Sequence, residues 1–496
     1  MSDETVVVGS HEERPSGFLG LMRTRNYALL WSGQFVSEMG NRFHWVAVSL
    51  WIYSLTQSAA AVSLGISSMF VGSLLVGLWA GVFVDRLNRK AILILSDLVR
   101  GVLVALIPSL IQVNLWLVYL DLALISVATA FFRPAIFAVV PQIVQRRELM
   151  AANSFFAAMD TGTEILGPVA AGFLAQGYGY APLLYLDALS YGLSALCIFA
   201  MVMRPNAHPP RSWDLRAVWN GVVEGLRYIR RDELQRGLFV LIFPATLVGA
   251  GLNALQTPLA KGEIGISDAE FGTFQSVWGL GFVAASLLLG WYGAVFRKSR
   301  LIIGGYLLGF LSTALMGLST GYTSLLLTAF AVGFANTLYY VGLGTVLMEY
   351  TPTELMGRVV STRQVALASA RVFSPLLFGA IAERSGVRPA ILFMAAAGAV
   401  GTVTAIWRHT SVRQFDRSWK GAGLRPSLLL KPFVEPVDSE FQEAPQRWLN
   451  GVAMLVAFVA WMGVAVRSPV TAVVLLLATL ALALVGSQLR RHGWLP

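Results

Sequence analysis

The stretch Gly81–Lys90, GVFVDRLNRK, is a short charged turn between two long apolar runs, 58–84 and 91–112. Asp85 ends the first run, and most of the charged residues that follow it are basic. Apolar runs of this length are close to the roughly 20 residues that a helix needs to cross a bilayer. Charges between two such runs hold the turn in water at the membrane surface. The stretch therefore predicts two transmembrane helices joined by a short aqueous loop, as in any polytopic membrane protein.

Composition places the whole chain in the same class. Of its 496 residues, 56% are hydrophobic and 13% are charged, whereas soluble domains carry about 25% charged residues. The net charge of +10 comes from Lys and Arg in loops beside apolar runs, a pattern that orients a membrane protein and predicts no nucleic-acid-binding face. The single cysteine, Cys197, lies inside an apolar run and predicts neither a disulfide nor a thiol site.

The apolar runs predict an all-α polytopic membrane protein whose twelve main helices form two sets of six. The central loop repeats apolar residues at helical spacing, so we expect an amphipathic helix on the cytoplasmic face or a plain tether between the halves. The predicted organisation is an N-terminal tail (1–25), an N-terminal six-helix half (26–203), the central loop (204–237), a C-terminal six-helix half (238–408), a polar linker (409–447), an appended transmembrane hairpin (448–489) and a C-terminal tail (490–496).

The distribution of Lys and Arg predicts the orientation. If the first tail lies inside, the outward loops hold only Lys261, Arg384, Arg388 and Arg467. The inward loops hold Arg86, Arg89, Lys90, Arg146, Arg147, Arg297, Lys298, Arg300, Arg358 and the arginines of the central loop. Because cytoplasmic loops carry the excess of basic residues, both termini are predicted in the cytoplasm, in a cell (inner or plasma) membrane.

An internal repeat relates the two predicted halves. The pair Gly167-Pro168 recurs as Ser374-Pro375, and Gly172 recurs as Gly379, each 207 residues later. Duplicated halves of this kind are typical of secondary transporters, which bind their substrate near the middle of the membrane where the halves meet.

Several short motifs resemble the major facilitator superfamily, and in particular its branch of enterobactin-type siderophore exporters and drug efflux proteins. The spacing G-x-x-x-D-R-x-x-R-K of Gly81–Lys90 is similar to the loop between helices 2 and 3 of that superfamily. The other residues that carry the resemblance are Gly40-Asn41-Arg42, Leu55-Thr56-Gln57-Ser58, Asp97 with Arg100, Phe131-Phe132-Arg133-Pro134-Ala135, Asn153-Ser154 and Gly357-Arg358-Val359. The resemblance spans residues 20–410 and implies the major facilitator fold, with two six-helix halves around a central cavity.

The resemblance also implies a conformational gate. Gly81 would let two helices approach, and Asp85 would accept hydrogen bonds at the start of helix 11, where unpaired amides carry partial positive charge. Asp97 and Arg100 would form a structural pair that supports the turn. The predicted gate comprises Gly81, Asp85, Arg86, Arg89, Asp97, Arg100, Gly357 and Arg358.

Charged side chains inside the membrane are costly and mark candidate sites. Glu38 and Arg42 share one face of helix 1, so they either line the central cavity or pair with each other inside the bundle. The repeat aligns Glu164 with Arg371 of helix 11, which predicts a polar wall on both sides of the cavity. The substrate-cavity candidates are therefore Glu38, Arg42 and Arg371.

Helix 5 carries the candidates for proton coupling, Asp160 and Glu164. Two carboxylates one helical turn apart each oppose ionisation of the other, so such a pair can take up and release a proton. The alternative is that each is fixed by a bond to a neighbouring helix. Gly167, Pro168 and Gly172 are similar to the helix 5 motif of antiporters, in which proline bends the helix and small residues permit close packing. A kink without a functional role is the alternative.

Three other charged residues are expected to have no such role. Arg133 is expected to extend to the inner surface. Asp121 and Asp187 are expected near the outer ends of their helices, where water is close.

The sequence predicts no enzyme, no metal site, no cofactor and no use of ATP. The five histidines lack the spacing of metal ligands, and a phosphate-binding Gly-Lys-Ser/Thr loop is absent from the sequence.

We expect a proton-coupled exporter of small amphiphilic molecules (siderophore, drug or secreted metabolite), with protons and the lipid bilayer as its other partners. An importer or lipid flippase on the same fold, or a membrane scaffold or receptor derived from it, is the alternative.

Overall fold

The computed structural model describes residues 18–84, 86–203, 215–293, 296–409 and 411–412, and this part of the chain is helical throughout. Asp85, nearly all of the polar linker, the hairpin 448–489 and the tail 490–496 lie outside the described residues.

Six helical positions precede the central helix α9 and six follow it. The first six are α2 Arg25–Thr56, α3 Ala59–Leu75 with α4 Gly77–Val84, α5 Arg89–Val113, α6 Leu115–Ile143, α7 Leu149–Tyr178 and α8 Ala181–Ala200. The second six are α10 Glu233–Thr257, α11 Asp268–Tyr292, α12 Lys298–Gly317, α13 Tyr322–Tyr350, α14 Thr353–Ser385 and α15 Val387–Arg408. The remaining elements are α1 Phe18–Arg23, α9 Leu215–Arg231, a 3₁₀ turn Arg146–Glu148 and a π-helical continuation of α10, Pro258–Ile264.

Local sequence sets the ends of these helices. Asn88, Asn114 and Asp232 cap α5, α6 and α10, because each side chain accepts hydrogen bonds from backbone amides of the first turn. Val76 separates α3 from α4, so the run 58–84, predicted as one helix, is two.

Helix α1 lies in the segment predicted as a tail. The ring of Phe18 packs 5.5 Å from the ring of Trp31 in α2 and 4.7 Å from that of Phe155 in α7. The described end of the tail therefore contacts the bundle.

Nine of the described helices are long and apolar enough to cross a membrane by length and composition. Helices α2 and α7 are not among them, although they have 32 and 30 residues. Their polar residues, which include Glu38, Arg42, Asp160 and Glu164, lower their mean hydropathy. The two long helices outside that group thus carry both candidates for proton coupling and two of the three substrate-cavity candidates.

The two sets of six pack in the same pattern. In the first, α2 contacts α7 and α8, α5 contacts α6 and α8, and α3 contacts α6. In the second, the equivalent helices do the same: α10 contacts α14 and α15, α12 contacts α13 and α15, and α11 contacts α13. Between the sets, α3 packs on α14 and α7 packs on α11. These two interfaces are equivalent under the sequence repeat.

Two glycines that the repeat aligns lie at these two crossings. A Cβ on Gly172 would lie 2.5 Å from the carbonyl oxygen of Asp268 and 2.9 Å from the Cα of Gly272. A Cβ on Gly379 would lie 2.3 Å from the Oγ of Ser63. Both crossings therefore depend on the absence of a side chain.

The halves meet at one end of the bundle. We call the end that carries Arg86–Lys90 the basic end and the opposite one the far end. At the far end, Ser58 Oγ donates to Glu383 at 2.8 Å, and Tyr180 OH donates to Asp268 at 3.0 Å.

At the basic end the close approach predicted for Gly81 is not made. A Cβ on Gly81 or Gly357 would have no neighbouring atom within 4 Å among the described residues. Both glycines border open space, whereas the hydrogen bonds named above join the halves at the far end, so the central space opens toward the basic end.

Helix α9 packs at the basic end against α14. Thr362 Oγ1 donates to the carbonyl of Val222 at 3.1 Å, and Arg358 pairs with Glu224. Trp219, on the same helix, is exposed. The central segment thus contains an α-helix with one face against the C-terminal half.

Candidate substrate cavity

Charged side chains from both halves converge on the central space. Asp160 of α7 interacts electrostatically with Glu38 and Arg42 of α2, and with Arg133 of α6 and Glu164 of its own helix. Arg371 of α14 interacts with Arg133 across the interface. We call these six residues, Glu38, Arg42, Arg133, Asp160, Glu164 and Arg371, the cavity charge set.

The cavity charge set is balanced but internally unpaired. It contains three carboxylates and three guanidinium groups, and no ion pair shorter than 4.0 Å joins any two of them in the described structure. Asp160, Arg133 and Arg371 are exposed, and the other three are half-buried. The pairing of Glu38 with Arg42 is therefore not formed in this state. The N-terminal half offers both signs of charge to a ligand, and the C-terminal half adds the guanidinium of Arg371.

Gly167 of α7, the fifth helix of the first six, positions one member of this set. A Cβ on Gly167 would lie 2.5 Å from the Cβ of Arg42 and 2.7 Å from its Cγ. The aliphatic stem of Arg42 thus lies directly on the backbone of α7. Replacement of Gly167 by any larger residue would displace the Arg42 guanidinium.

Glu164 lies close to the interface between the halves. A Cβ on Gly279 of α11 would lie 3.5 Å from the Cγ of Glu164. A change in the charge of Glu164 would therefore act at the contact between α7 and α11.

Aromatic rings complete the wall on the opposite side. The guanidinium of Arg371 lies 5.6 Å from the ring centroid of Phe70 in α3, within the range of a cation–π contact. The ring of Trp45 packs edge-on against Phe70 at 6.0 Å. The cavity therefore offers apolar ring surface beside its charges, which suits amphiphilic molecules.

A second depression lies apart from these charges, at the far end. It has a volume of about 590 Å³, and its lining includes Tyr53, Tyr180, Lys261 and Asp268. It lies at the closed contact between the halves rather than at the cavity charge set.

The sequence itself settles the family. The profile described as Major Facilitator Superfamily matches residues 30–261 and 238–489. The chain belongs to the major facilitator superfamily. It is therefore an integral membrane transporter and not an enzyme. The second match reaches residue 489 and so extends beyond the resemblance, 20–410, over the segment predicted as a hairpin, 448–489.

Curated relatives of this major facilitator protein include efflux proteins. Macrolide efflux protein A of Streptococcus pyogenes is 24% identical over 367 residues, which covers 72% of this chain and 89% of that protein. The putative bacilysin exporter BacE of Bacillus subtilis is 25% identical over 355 residues, which covers 69% of this chain and 85% of that protein.

Solved structures of the superfamily share the fold. A mutant of the nucleoside transporter NupG superposes with a TM-score of 0.65 at 12% identity, covering 77% of this chain and 98% of that one. A bacterial homologue of the human lysosomal transporter Spinster, in an inward-facing and unoccupied conformation, superposes with a TM-score of 0.62 at 13% identity, covering 82% and 99%.

The residues predicted for the gate are not brought together in this state of the transporter. Arg89 donates to the carbonyl of Ala138 at 3.3 Å, and Arg86 also has a partner within the structure. Arg358 is engaged by α9, as described above. Asp85 lies outside the described residues, so its contact with the start of α14 stays a prediction.

Asp97 and Arg100 form a buried ion pair, but not at the turn. The guanidinium of Arg100 lies 4.0 Å from the ring centroid of Phe132 and 4.4 Å from that of Tyr191. At about 1.5 Å per helical residue, the pair lies roughly 12–16 Å along α5 from Arg89. The predicted structural pair is therefore formed, in the interior of the first half, and its support of the turn stays a prediction because Asp85 lies outside the described residues.

Two further expectations are wrong. Asp121 and Asp187 are buried, with 3% and 0% of their surface exposed, because their helices turn these side chains toward the interior of the half. Arg133 is exposed and interacts electrostatically with Asp160, and its extension to the inner surface stays a prediction. A signal for Asp187 was present: Asp187, Ser190 and Ser194 form a polar stripe at helical spacing on an otherwise apolar helix, which indicates buried polar partners.

Proposed function

We propose that this chain is a proton-coupled exporter of small amphiphilic molecules that works by alternating access. One observation carries the proposal: an unpaired, balanced set of charges from both halves, beside aromatic rings, faces a space that opens at one end. A cargo with polar and apolar parts would satisfy both features. The names of the relatives, a macrolide efflux protein and a bacilysin exporter, support cargo of this class and outward direction. The motifs of the enterobactin-type branch point to the same chemistry.

The orientation follows from charge. Because basic loops face the cytoplasm, the basic end is cytoplasmic, and both termini with it. The state described here then opens inward, so cargo enters from the cytoplasm or the inner leaflet. An amphiphilic molecule thus reaches the cavity either from the cytoplasm or from the lipid bilayer.

Asp160 and Glu164 are the proposed proton carriers of the cavity. Asp160 is exposed in the open cavity and close to two arginines, so it can exchange protons and also bind a cationic group. Glu164 lies at the contact with α11, so a change in its charge alters the interaction between the two halves. Cargo that binds to the arginines would compete for these carboxylates, which links cargo binding to proton release.

The gate would act in the opposite state. When the basic ends close, Asp85 would meet the start of α14, and Gly81 would allow that approach. Cargo and protons each bind the two states with different affinity. Each of them therefore shifts the equilibrium between the states.

The experiment uses purified protein in proteoliposomes with a radiolabelled macrolide as probe. With an imposed proton gradient, the wild type is expected to accumulate the probe in the direction opposite to proton flow. At equal pH on both sides, it is expected to exchange labelled for unlabelled probe across the membrane. Glu164→Gln is expected to keep exchange but to lose gradient-driven accumulation. The loss should fall in the range of about 5- to 150-fold that is typical of coupling between two sites.

Glu233→Gln is the matched control, since Glu233 is exposed in the first turn of α10, outside both the cavity charge set and the gate. It should behave like wild type in both assays. Accumulation that ignores the proton gradient in wild type would contradict proton coupling, and unchanged coupling in Glu164→Gln would remove Glu164 from it.

A further inference from the structure

A second group of ionisable side chains lies buried inside the N-terminal half, away from the cavity charge set. It consists of His44 on α2, Asp97 and Arg100 on α5, Asp121 on α6 and Asp187 on α8, and we call it the buried cluster. Its members are between 0% and 7% exposed. The proposed mechanism above uses none of them.

The centre of the buried cluster is the contact between α2 and α8. His44 Nδ1 lies 3.2 Å from Asp187 Oδ2, and Ser190 Oγ donates to Asp187 Oδ1 at 3.3 Å. A Cβ on Gly40 would lie 2.4 Å from Asp187 Oδ1 and 3.0 Å from the Asp187 Cα. Gly40 therefore lets α8 carry this carboxylate directly against the backbone of α2.

Other helices surround this contact with charge. Arg100 of α5 interacts electrostatically with Asp187, and Asp97 of the same helix lies close to Asp187 as well. Asp121 of α6 interacts with His44. Helices α5 and α6 thus add charged or titratable groups around the pair.

The charges of the buried cluster do not balance without protons. Three carboxylates face one guanidinium, which leaves two negative charges in excess when His44 is neutral. A buried charge without compensation is costly. The Oδ2 atoms of Asp97, Asp121 and Asp187 are buried, and none of them accepts a hydrogen bond of good geometry from the described residues. Each of these oxygens is a position at which a proton would remove a charge and supply a donor.

We infer that the buried cluster is a second proton-binding site, with His44 and Asp187 as the pair that holds the proton. The proton enters at His44, whose side chain is 9% exposed while that of Asp187 is fully enclosed. In the state seen here the cluster is sealed from water, so this state requires the bound proton. Loss of the proton favours the other state.

A path links this site to the cavity. Tyr191 interacts electrostatically with both Asp187 and Glu38, and its hydroxyl donates to Asn41 of α2. Helix α2 carries His44 toward the buried cluster and Glu38 and Arg42 toward the cavity. A charge change at His44 therefore acts on the same helix that contacts the cargo.

The inference deepens the proposed function and rests on it, but its test needs no cargo. Spin labels are placed at Met150 and Met348, exposed residues at the basic ends of the two halves, with Cys197 replaced by Ser. The distance between them is measured as the pH is raised from about 5 to 8, the range in which histidine changes charge. We expect the open fraction of wild type to fall as pH rises, and expect no such shift in His44→Gln or Asp187→Asn.

His409→Gln is the matched control, because it makes the same substitution at the end of α15, outside the buried cluster. It should keep the pH-dependent shift. If Asp187→Asn fails to fold, as judged by its melting temperature, His44→Gln decides alone. A shift in His44→Gln equal to that of the control, or no shift in wild type, overturns the inference. Failure of the macrolide assay instead overturns the proposed cargo and coupling and leaves this result standing.

Discussion

At the scale of single residues, the fold depends on glycines that let helices touch. Gly172 and Gly379 occupy the two crossings between the halves, and Gly167 supports Arg42. The sequence repeat alone identifies Gly172 and Gly379 as an equivalent pair. The repeat does not show what each glycine contacts, because a glycine in the sequence does not indicate which residue of another helix packs against it.

Replacement of Gly172 by Ala tests the crossing of α7 and α11. The added methyl would lie 2.5 Å from the Asp268 carbonyl, so the helices must separate. Overpacking of this kind costs about 1–3 kcal/mol, and we expect a lower melting temperature and slower transport. Gly177→Ala, on the same helix, is the control, because its Cβ would meet no atom within 4 Å. Equal behaviour of the two variants would show that the crossing does not depend on Gly172.

At the scale of elements, the helices and their order could be predicted from apolar length and loop charge. The acids and arginines of α2 and α7 mark these helices in the sequence, and four of those residues, Glu38, Arg42, Asp160 and Glu164, converge in the cavity charge set. The positions of Asp121 and Asp187 near a helix end do not imply nearness to water, since both are buried. Burial in a bundle depends instead on which face of the helix meets its neighbours, and only the polar stripe on α8 carried that information.

A carboxylate on one helix end stabilises the closed far end. Glu383 of α14 accepts hydrogen bonds from Ser58 Oγ at 2.8 Å and from the amide of Ala60 at 3.2 Å. It thus places negative charge on the N-terminus of α3, an interaction worth about 0.3–1 kcal/mol. Glu383→Gln should therefore raise the population with an open far end by about two- to fivefold.

Labels at Leu55 and Leu318, exposed at the far ends of the two halves, would measure this change as a longer distance. Arg384→Gln alters the next residue and should leave the distance distribution as in wild type. A Glu383→Gln variant with an unchanged far-end distance would show that this contact does not stabilise the closed end.

At the scale of the whole molecule, the repeat in sequence appears as a repeat in packing. The contact pattern of α2–α8 recurs in α10–α15, and the two interfaces between halves are equivalent. The duplication predicted from Gly167-Pro168 and Gly172 therefore extends to the architecture. Which end is open could not be predicted, because one sequence must serve both states and its apolar pattern is the same in each.

The central claim is that the two halves rock about the cavity charge set, so that one end closes as the other opens. The direct measurement records both label pairs, Met150 with Met348 at the basic end and Leu55 with Leu318 at the far end, in one series of conditions that includes low pH, high pH and added macrolide. The account predicts reciprocal changes: whenever the basic-end distance shortens, the far-end distance lengthens. Distances that change together, or a far-end distance that never changes, would contradict it.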